Sequence, residues 1–350
     1  MKKPTVILDP DWRQMDELFS PSAKARLFAT YVVVWGRDAK IEDAVLEAAL
    51  PKADILIAAT PKVDAKVLER APKLRAIIEV SGSFPDTIDY AGCHERGIEV
   101  LTCAPGFRQS VAEMGLAMAL AGARGLFNEH EAFRTGDEHW LADNADTDFS
   151  LFGADIGFIG FGQIAQEIAR LMSPFAPTIR AYDPWLPDAI AQSHSAKLLG
   201  LDDVLKASRC VFMTATPTAE NYHLLNAANI ALMPKGALLI LLSRAHLVDF
   251  EALVAAVSAN KIRAAVDVFP SEPVAKNDPI RTLPNAVLSP HRAAAVSGGR
   301  QLIGEMILAD LDAIFSDTPG RRLGVADVNR IEALAGIGDA NEVEGMARGR

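Results

Sequence analysis

The stretch "GADIGFIGFGQIAQEIARLM", residues 153–172, joins a short apolar run, a glycine turn and a helix-forming segment. The turn is a GxGxxA pattern made of Gly160, Phe161, Gly162, Gln163, Ile164 and Ala165. The first glycine permits a tight turn, the second lets the backbone approach a pyrophosphate, and the small alanine lets helix and strand pack closely. The helix N-terminus then offers N–H groups and a positive dipole end to the phosphates. The stretch therefore predicts a strand–turn–helix unit that binds a dinucleotide.

A carboxylate follows this unit at the distance that ribose recognition needs. The next apolar run, "TIRAYD", ends in Asp183, 23 residues after Gly160. Asp183 would accept hydrogen bonds from the ribose hydroxyls and repel a 2′-phosphate, and the following "DPWLPD" holds no basic residue. The pattern favours NAD over NADP. The alternative is a glycine turn followed by an incidental acidic residue.

Apolar runs alternate with helix-like segments on both sides of this unit. Before it lie "TVIL", "YVVVW", "DILIA", "RAIIEV" and "IEVLT"; from residue 154 onward lie "DIGFIG", "TIRAYD", "CVFMTA", "ALLILLS", "RAAVDVF" and "AVLSP". Such alternation predicts parallel sheets and an α/β fold with two domains. Residues 109–126 predict a buried helix between the domains, and 297–317 predict a closing amphipathic helix. The segment from about residue 319 shows weak periodicity and carries no structural prediction.

Composition and charge exclude several classes of protein. The chain has 350 residues, half of them hydrophobic, and a net charge of −10, which is typical of a globular protein and argues against a nucleic-acid surface. Cys93, Cys103 and Cys210 have no metal-ligand spacing, and their sparse number fits a reducing compartment. We find no signal peptide and no apolar run of membrane length. A cytoplasmic protein without a metal or membrane partner is expected.

Polar side chains with catalytic potential follow three strand candidates in the second half. They are Arg244 after "ALLILLS", Asp267 and Glu272 in "RAAVDVFPSEP", and His291 after "AVLSP". Ligands of open α/β sheets sit beyond the carboxyl ends of the strands, the edge that also carries the glycine turn. Oxidation of an alcohol by hydride transfer needs a base, and the imidazole of His291 titrates in the right range. Glu272 would stabilise the imidazolium, and Arg244 would hold a substrate carboxylate.

From Ala154 to Ala293 the sequence resembles the D-isomer-specific 2-hydroxyacid dehydrogenase family. The resemblance rests on "GFIGFGQIA", "LMPKGALLILLSRAHLVDFEAL", "AAVDVFPSEP" and "LPNAVLSPHRA", with "VAE" at 111–113 and "DTID" at 86–89. It implies a catalytic trio of Arg244, Glu272 and His291. It also implies hydride exchange between NAD(H) and a D-2-hydroxy acid or its 2-oxo acid, and a homodimer.

The resemblance further implies the domain organisation and the ligand contacts. A Rossmann-type NAD-binding domain (107–295) and a discontinuous, flavodoxin-like α/β substrate domain (1–106 and 296–350) would enclose the active site in the cleft between them. Asp267 would contact the nicotinamide carboxamide. Besides the glycine turn and Asp183, cofactor contacts would come from Ala215, Thr216, Pro217, Ser243, Asp267 and His291. Substrate contacts would come from Arg244 and from Ser81, Gly82, Ser83 and Phe84.

Some positions depart from the family pattern and leave the choice of acid open. In "VSGSFPDTID", Phe84 and Pro85 stand where glycine and a small residue are common, which predicts a differently shaped pocket. Backbone amides of Ser81–Phe84 are still expected to receive a substrate carboxylate. His246, two residues after Arg244, is a further candidate for the edge of the site, and the other histidines are expected at the surface.

Alternative functions remain open at the level of sequence. One is an NAD-sensing interaction module of the co-repressor type, which shares this fold; another is oxidation of phosphoglycerate. Formate and phosphite oxidation are disfavoured because Glu272 replaces the glutamine typical of the first, and "SGSFPD" lacks the lysine typical of the second. Residues 127–152 are either a solvated loop or a dimerisation arm anchored by Phe133 and Trp140.

Overall fold

The computed structural model describes residues 3–142 and 148–331. Thirteen strands are formed in this part of the chain: β1 (Thr5–Asp9), β2 (Val32–Trp35), β3 (Ile55–Ala58), β4 (Ala76–Glu79), β5 (Glu99–Thr102), β6 (Asp155–Ile159), β7 (Thr178–Tyr182), β8 (Ala196–Leu198), β9 (Cys210–Met213), β10 (Ala237–Leu241), β11 (Ile262–Val266), β12 (Ala286–Leu288) and β13 (Gly324–Val325). The α-helices of the same residues are α1 (Met15–Leu18), α2 (Pro21–Thr30), α3 (Asp43–Ala49), α4 (Ala65–Arg70), α5 (Tyr90–Glu95), α6 (Arg108–Ala123), α7 (Leu126–Thr135), α8 (Gln163–Met172), α9 (Asp188–Ser193), α10 (Leu201–Ala207), α11 (Ala227–Leu232), α12 (Phe250–Ser258) and α13 (Gln301–Phe315).

The chain divides into two compact units, unit 1 with residues 1–108 and 296–350 and unit 2 with residues 109–295. The sheet of unit 1 has the order β13-β5-β4-β3-β1-β2, in which only β13 is antiparallel to its neighbour. The order of its five parallel strands is that of flavodoxin-like folds. The predicted flavodoxin-like α/β architecture is therefore confirmed.

Both faces of the central strands of the unit 1 sheet are buried, which explains why these strands are mostly apolar. In β1, Val6 and Leu8 belong to one apolar cluster and Ile7 belongs to the other, as the alternation of side chains along a strand requires. The predicted closing helix, α13, covers the first face through Ile303, Ile307 and other residues.

The sheet of unit 2 is wholly parallel among the described strands, with the order β12-β11-β10-β9-β6-β7-β8. This is the Rossmann order, and its reversal point lies between β6 and β9, where ligands of such sheets bind. All six predicted strands are present, and β8 was not predicted. Gly157 in β6 allows α10 to pack closely, because a Cβ there would lie 2.5 Å from Ser208 Oγ.

Two segments differ from the sequence-based expectations. The predicted helix over 109–126 ends at Ala123, because Gly125 adopts a left-handed φ of 58° and a second helix, α7, begins at Leu126. This helix replaces part of the segment predicted as a loop or arm, and residues 143–147 of that segment lie outside the described residues. In the stretch after 319, β13 pairs with β5.

Candidate active site

The glycine turn at the end of β6 is locked by its neighbours. Gly160 has a φ of 83°, and a Cβ on it would lie 2.3 Å from the Cα of Ala215, so only glycine fits. The Gly160 N–H donates to the carbonyl of Tyr182 at 2.8 Å, and the hydroxyl of Thr214 donates to the carbonyl of Gly160 at 2.7 Å. The turn is thereby held between the carboxyl ends of β7 and β9.

The start of α8 leaves room for an anion. A Cβ on Gly162 would have no heavy atom within 4 Å, and Gly162 begins the helix without a side-chain cap. Ala165 is fully buried, as close packing of the helix on the strand requires. Open space beside uncapped N–H groups at the positive end of a helix fits the pyrophosphate of NAD.

Asp183 lies at the end of β7, beside the glycine turn. Its Oδ2 accepts a hydrogen bond from the Phe161 N–H at 2.8 Å, and its Oδ1 accepts one from the Trp185 N–H at 3.1 Å. The side chain is partly exposed, and each carboxylate oxygen can accept more than one hydrogen bond. Asp183 therefore shapes the turn and retains capacity for ribose hydroxyls.

His291 and Glu272 form a direct pair. The distance between His291 Nδ1 and Glu272 Oε2 is 2.7 Å, and both side chains are about three-quarters buried. Glu272 Oε1 also accepts the Phe269 N–H at 2.8 Å, which fixes the orientation of the carboxylate. His291 itself has a left-handed φ of 49°, an uncommon conformation that its surroundings hold in place.

The charges around Glu272 keep it ionised. Burial raises the pKa of Glu272, but the hydrogen bond and charge of His291, the Phe269 N–H and the positive charge of Arg244 outweigh burial and hold the pKa below its usual range. An ionised carboxylate next to Nδ1 stabilises the imidazolium and directs the neutral ring to carry its proton on Nδ1. The predicted trio thus comes from three neighbouring strand ends of one unit.

Asp267 holds the segment that carries His291. Its buried carboxylate accepts hydrogen bonds from the Ser289 hydroxyl at 2.5 Å, from the Arg292 N–H at 2.9 Å and from the Ala293 N–H at 3.0 Å, and its backbone carbonyl accepts the His291 N–H at 2.8 Å. The sequence analysis predicted that Asp267 contacts the nicotinamide and did not predict that it holds the loop. The structure shows this second role and a hydrogen bond from Ser289, a residue without a predicted role.

The remaining predicted cofactor contacts lie along the same sheet edge. Ala215 packs against Gly160, and Thr216 and Pro217 follow it after β9. Ser243 Oγ is buried without a hydrogen-bond partner among the described residues, so it has capacity for a bound molecule. His246 is partly buried, with Nε2 2.9 Å from the carbonyl of Thr218.

The predicted substrate loop belongs to unit 1 and differs from the expectation. The backbone N–H groups of Ser81, Gly82 and Ser83 all donate to the carboxylate of Glu79, the last residue of β4. Phe84 packs edge-on against Tyr90, with 6.4 Å between ring centroids. Three of the amides expected to receive a substrate carboxylate are therefore already engaged by a protein carboxylate.

Two general features of the described residues bear on function. No group of three or more His, Cys, Asp or Glu side chains is arranged there to hold a metal ion. None of the helices described is both long enough and apolar enough to cross a membrane.

Comparisons with known proteins identify the family of the chain. Residues 116–293 match the model of the D-isomer specific 2-hydroxyacid dehydrogenase, NAD binding domain. The chain is 31% identical over 293 residues to a glyoxylate reductase of Pyrococcus horikoshii, covering 81% of this chain and 86% of the relative. It is 30% identical over 266 residues to a D-3-phosphoglycerate dehydrogenase of Methanocaldococcus jannaschii, but spans only 50% of that longer protein.

A solved structure shows the same overall similarity. The crystal structure of a phosphoglycerate oxidoreductase from Rhizobium etli has a TM-score of 0.82 and 35% identity, and the match covers 93% of this chain and 99% of that one. The predicted Rossmann fold, the NAD cofactor and the oxidoreductase class are confirmed. The chain belongs to the family of D-isomer specific 2-hydroxyacid dehydrogenases, which are NAD-dependent oxidoreductases.

Proposed function

We propose that His291 is the acid–base residue, that Glu272 orients and charges it, and that Arg244 binds the carboxylate of a D-2-hydroxy acid or 2-oxo acid. The observation that carries this proposal is the 2.7 Å contact between His291 Nδ1 and Glu272 Oε2, within the electrostatic reach of Arg244. A pair of this kind, next to a fixed cation, supplies both proton transfer and substrate orientation.

The protein's part in the reaction follows from the ring nitrogens of His291. With Nδ1 bound to Glu272, Nε2 is the nitrogen that takes the hydroxyl proton when the acid is oxidised and returns it to the carbonyl oxygen when the oxo acid is reduced. The guanidinium of Arg244 donates two parallel hydrogen bonds to the substrate carboxylate and so fixes the reacting carbon. NAD, when bound, accepts or supplies the hydride.

The chain's own residues would hold the cofactor as the sequence predicted. The glycine turn from Gly160 to Ile164 would receive the pyrophosphate, and Asp183 the ribose hydroxyls. The open space at Gly162 supports the first of these assignments. Ser243, whose Oγ has no hydrogen-bond partner among the described residues, would be a further contact. Asp267 would serve the nicotinamide end, with its carboxylate also holding the loop of His291.

Steady-state kinetics test the proposal. We expect NADH oxidation with glyoxylate or a larger 2-oxo acid, and a fall in kcat of at least about 100-fold in His291→Asn, because one group serves as both acid and base. His223→Asn is a matched control, since His223 has a similar left-handed φ of 50° in the same unit. Arg244→Lys is expected to raise KM, with the exposed Arg170→Lys as control. Full turnover in His291→Asn would overturn the assignment.

A phosphoglycerate-type reaction is the second candidate, and the similarity to the Rhizobium etli phosphoglycerate oxidoreductase favours it. Reduction of NAD with 3-phosphoglycerate, compared with oxidation of NADH by glyoxylate, separates the two. A co-repressor-type module would bind NADH and show no turnover with any acid.

We also propose that the chain forms a homodimer through the surface of α7 and the residues after it. Helix α7 buries none of its residues, and it carries the exposed side chains Leu126, Phe127 and Phe133, with Trp140 and Leu141 exposed just after it. Phe133 and Trp140 contact each other edge-on, with centroids 6.3 Å apart. A second copy of the chain would remove this apolar surface from water.

Light scattering after size exclusion measures the oligomeric state. A dimer is expected for the wild type and a monomer for Phe133→Asp/Trp140→Asp, whereas Val328→Asp, which changes another exposed apolar residue, should remain dimeric. A wild-type monomer at micromolar concentration would exclude the proposed interface. We further propose a cytoplasmic location, because the three cysteines are buried and free, as expected in a reducing compartment.

A further inference from the structure

His246 lies two residues after Arg244, and no step of the proposed reaction uses its ring. Its Nε2 is 2.9 Å from the backbone carbonyl of Thr218, in the chain that follows β9. A carbonyl oxygen only accepts hydrogen bonds, so Nε2 carries a hydrogen and donates it to this bond. We call residues 214–218 the cofactor segment, because 215–217 are predicted cofactor contacts. The bond joins this segment to the turn that carries Arg244, and both belong to unit 2.

We propose that His246 is a positioning residue that couples the two ligands: when NADH fixes the cofactor segment, the bond to Thr218 also fixes Arg244 for the substrate carboxylate. This role rests on the proposed function, in which Arg244 binds that carboxylate and the cofactor segment contacts NADH. A residue that touches neither ligand would then raise the affinity for one ligand when the other is bound.

The turn after β10 transmits a constraint on His246 to Arg244. Arg244 is extended, with a φ of −144° and a ψ of 142°, and it directly precedes the short 3-10 helix Ala245–Leu247, in which His246 is the central residue. The Leu247 N–H donates to the Arg244 carbonyl at 3.3 Å, which closes the turn around His246. A fixed His246 ring therefore limits the backbone from which the Arg244 side chain starts.

The cofactor segment is bound at both of its ends. At its start, the Thr214 hydroxyl donates to a carbonyl of the glycine turn at 2.7 Å. At its end, the Thr218 N–H donates to Asn221 Oδ1 at 2.7 Å, and Asn221 Nδ2 donates to the Thr216 carbonyl at 2.9 Å. Hydrogen bonds therefore connect the glycine turn to Thr218, and His246 extends this connection to the turn after β10.

The surroundings of His246 hold its ring in place. The Leu225 N–H donates to the Leu247 carbonyl at 2.9 Å, and the Asp249 N–H donates to the Leu225 carbonyl at 2.9 Å, so the loops after β9 and β10 are paired along their backbones. The Tyr222 ring meets the His246 ring at an angle of 63°, with 5.0 Å between centroids. Because the His246 ring is partly buried, its hydrogen bond is stronger than the same bond would be in water.

Binding measurements test the coupling without turnover. Oxamate, an unreactive analogue of a 2-oxo acid, is titrated by calorimetry with and without saturating NADH. We expect NADH to raise the affinity of the wild type for oxamate, and His246→Phe to reduce this enhancement about fivefold, as the loss of one hydrogen bond predicts. His246→Gln keeps a side-chain N–H close to the position of Nε2 and should bring the enhancement to within about twofold of wild type. His94→Phe, at an exposed histidine of unit 1, is the matched control.

Steady-state kinetics give a second readout. At saturating NADH, His246→Phe should raise KM for the best 2-oxo acid about fivefold and leave kcat within about twofold, because His246 does not touch the reacting atoms. Thr214→Val removes the hydroxyl bond to the glycine turn and should also reduce the enhancement by NADH, which keeps the test valid if His246→Phe folds poorly.

Two results would overturn the coupling role of His246. One is an enhancement of wild-type size in both His246→Phe and Thr214→Val, and the other is a wild type to which oxamate binds no more tightly with NADH than without it. Failure of the proposed function has a different signature, because Arg244→Lys would then leave the affinity for oxamate unchanged even with NADH bound.

Discussion

Replacing Glu272 by glutamine separates the charge of the His291–Glu272 pair from its shape. Glu272 accepts two hydrogen bonds, from His291 Nδ1 at 2.7 Å and from the Phe269 N–H at 2.8 Å, one on each oxygen. Glutamine offers a single oxygen, so one of these donors loses its acceptor. A charge-assisted hydrogen bond contributes about 1.5–3 kcal/mol against about 1 kcal/mol for a neutral one. The change therefore removes about 0.5–2 kcal/mol of stabilisation from the imidazolium.

This loss has a distinct kinetic signature. Since about 1.4 kcal/mol corresponds to one pH unit, the pH at which reduction of a 2-oxo acid slows should move down by about one unit. At neutral pH, kcat should fall about tenfold or more, while KM for NADH stays the same. Initial rates of NADH oxidation between about pH 5 and pH 9 measure both effects.

Two further variants make the result decisive. Glu272→Asp keeps the charge on a shorter side chain and should retain the wild-type pH profile with a lower kcat. Glu251→Gln removes an exposed carboxylate from α12 and should behave as wild type. If Glu272→Gln keeps both the kcat and the pH profile of the wild type, His291 and Glu272 do not act as an acid–base pair.

Three other perturbations follow from the same structure. Asp267→Asn leaves one of its three donors without an acceptor, so we expect a loss of about 1–3 kcal/mol in the free energy of unfolding and a lower kcat, measured by denaturation and kinetics against the exposed Asp188→Asn. Asp183→Ser removes the carboxylate that repels a 2′-phosphate, so the ratio of kcat/KM for NADPH to that for NADH should rise at least about tenfold; an unchanged ratio would mean that Asp183 does not face the ribose. Burial raises the pKa of Glu79 from an ordinary 4.5 to about 7, so its contribution to stability is present below pH 4.5 and lost as pH rises through 7, by about 3 kcal/mol. Urea unfolding at several pH values should show this loss in the wild type and not in Glu79→Gln.

The sequence predicted those parts of the fold that depend on local chain pattern. The strand–turn–helix unit of β6 and α8 requires glycine at position 160 and leaves open space for an anion at Gly162, so the glycine pattern alone predicts the unit. The positions of Arg244 and His291 at one sheet edge followed from parallel strand ends alone. Both predictions use only the order of segments along the chain and the parallel arrangement that this order implies.

The elements that the sequence missed depend on contacts or on length. Helix α7 buries no residue in the described chain, so no core-facing apolar stripe marks it in the sequence. Strand β8 has three residues and β13 has two, and β13 exists through its pairing with β5, more than 200 positions earlier in the chain. No role was predicted for Glu79, because Thr102, one of its donors, comes from another strand.

Carboxylates at the ends of buried strands include site residues that the sequence predicted and one structural residue that it did not predict. Asp9, Glu79, Asp183 and Asp267 each lie at or just after the last residue of an apolar strand and accept backbone N–H groups. A parallel strand delivers its next residues to the ligand edge, so an acid there is close both to a ligand and to the amides of its own loop. For Asp183 and Asp267 the sequence predicted contact with the cofactor. For Glu79 it predicted neither contact with a ligand nor hydrogen bonds to its own loop. Glu79 and Asp183 differ in burial and in the number of backbone amides that donate to the carboxylate. Glu79 is fully buried and accepts three amides, so its oxygens are turned into the protein. Asp183 is partly exposed and accepts two, so it keeps capacity for a ribose. For Glu79 and Asp183, burial and the number of donors therefore separate the acid that builds its loop from the acid that keeps capacity for a ligand, and both quantities depend on the conformation of the loop.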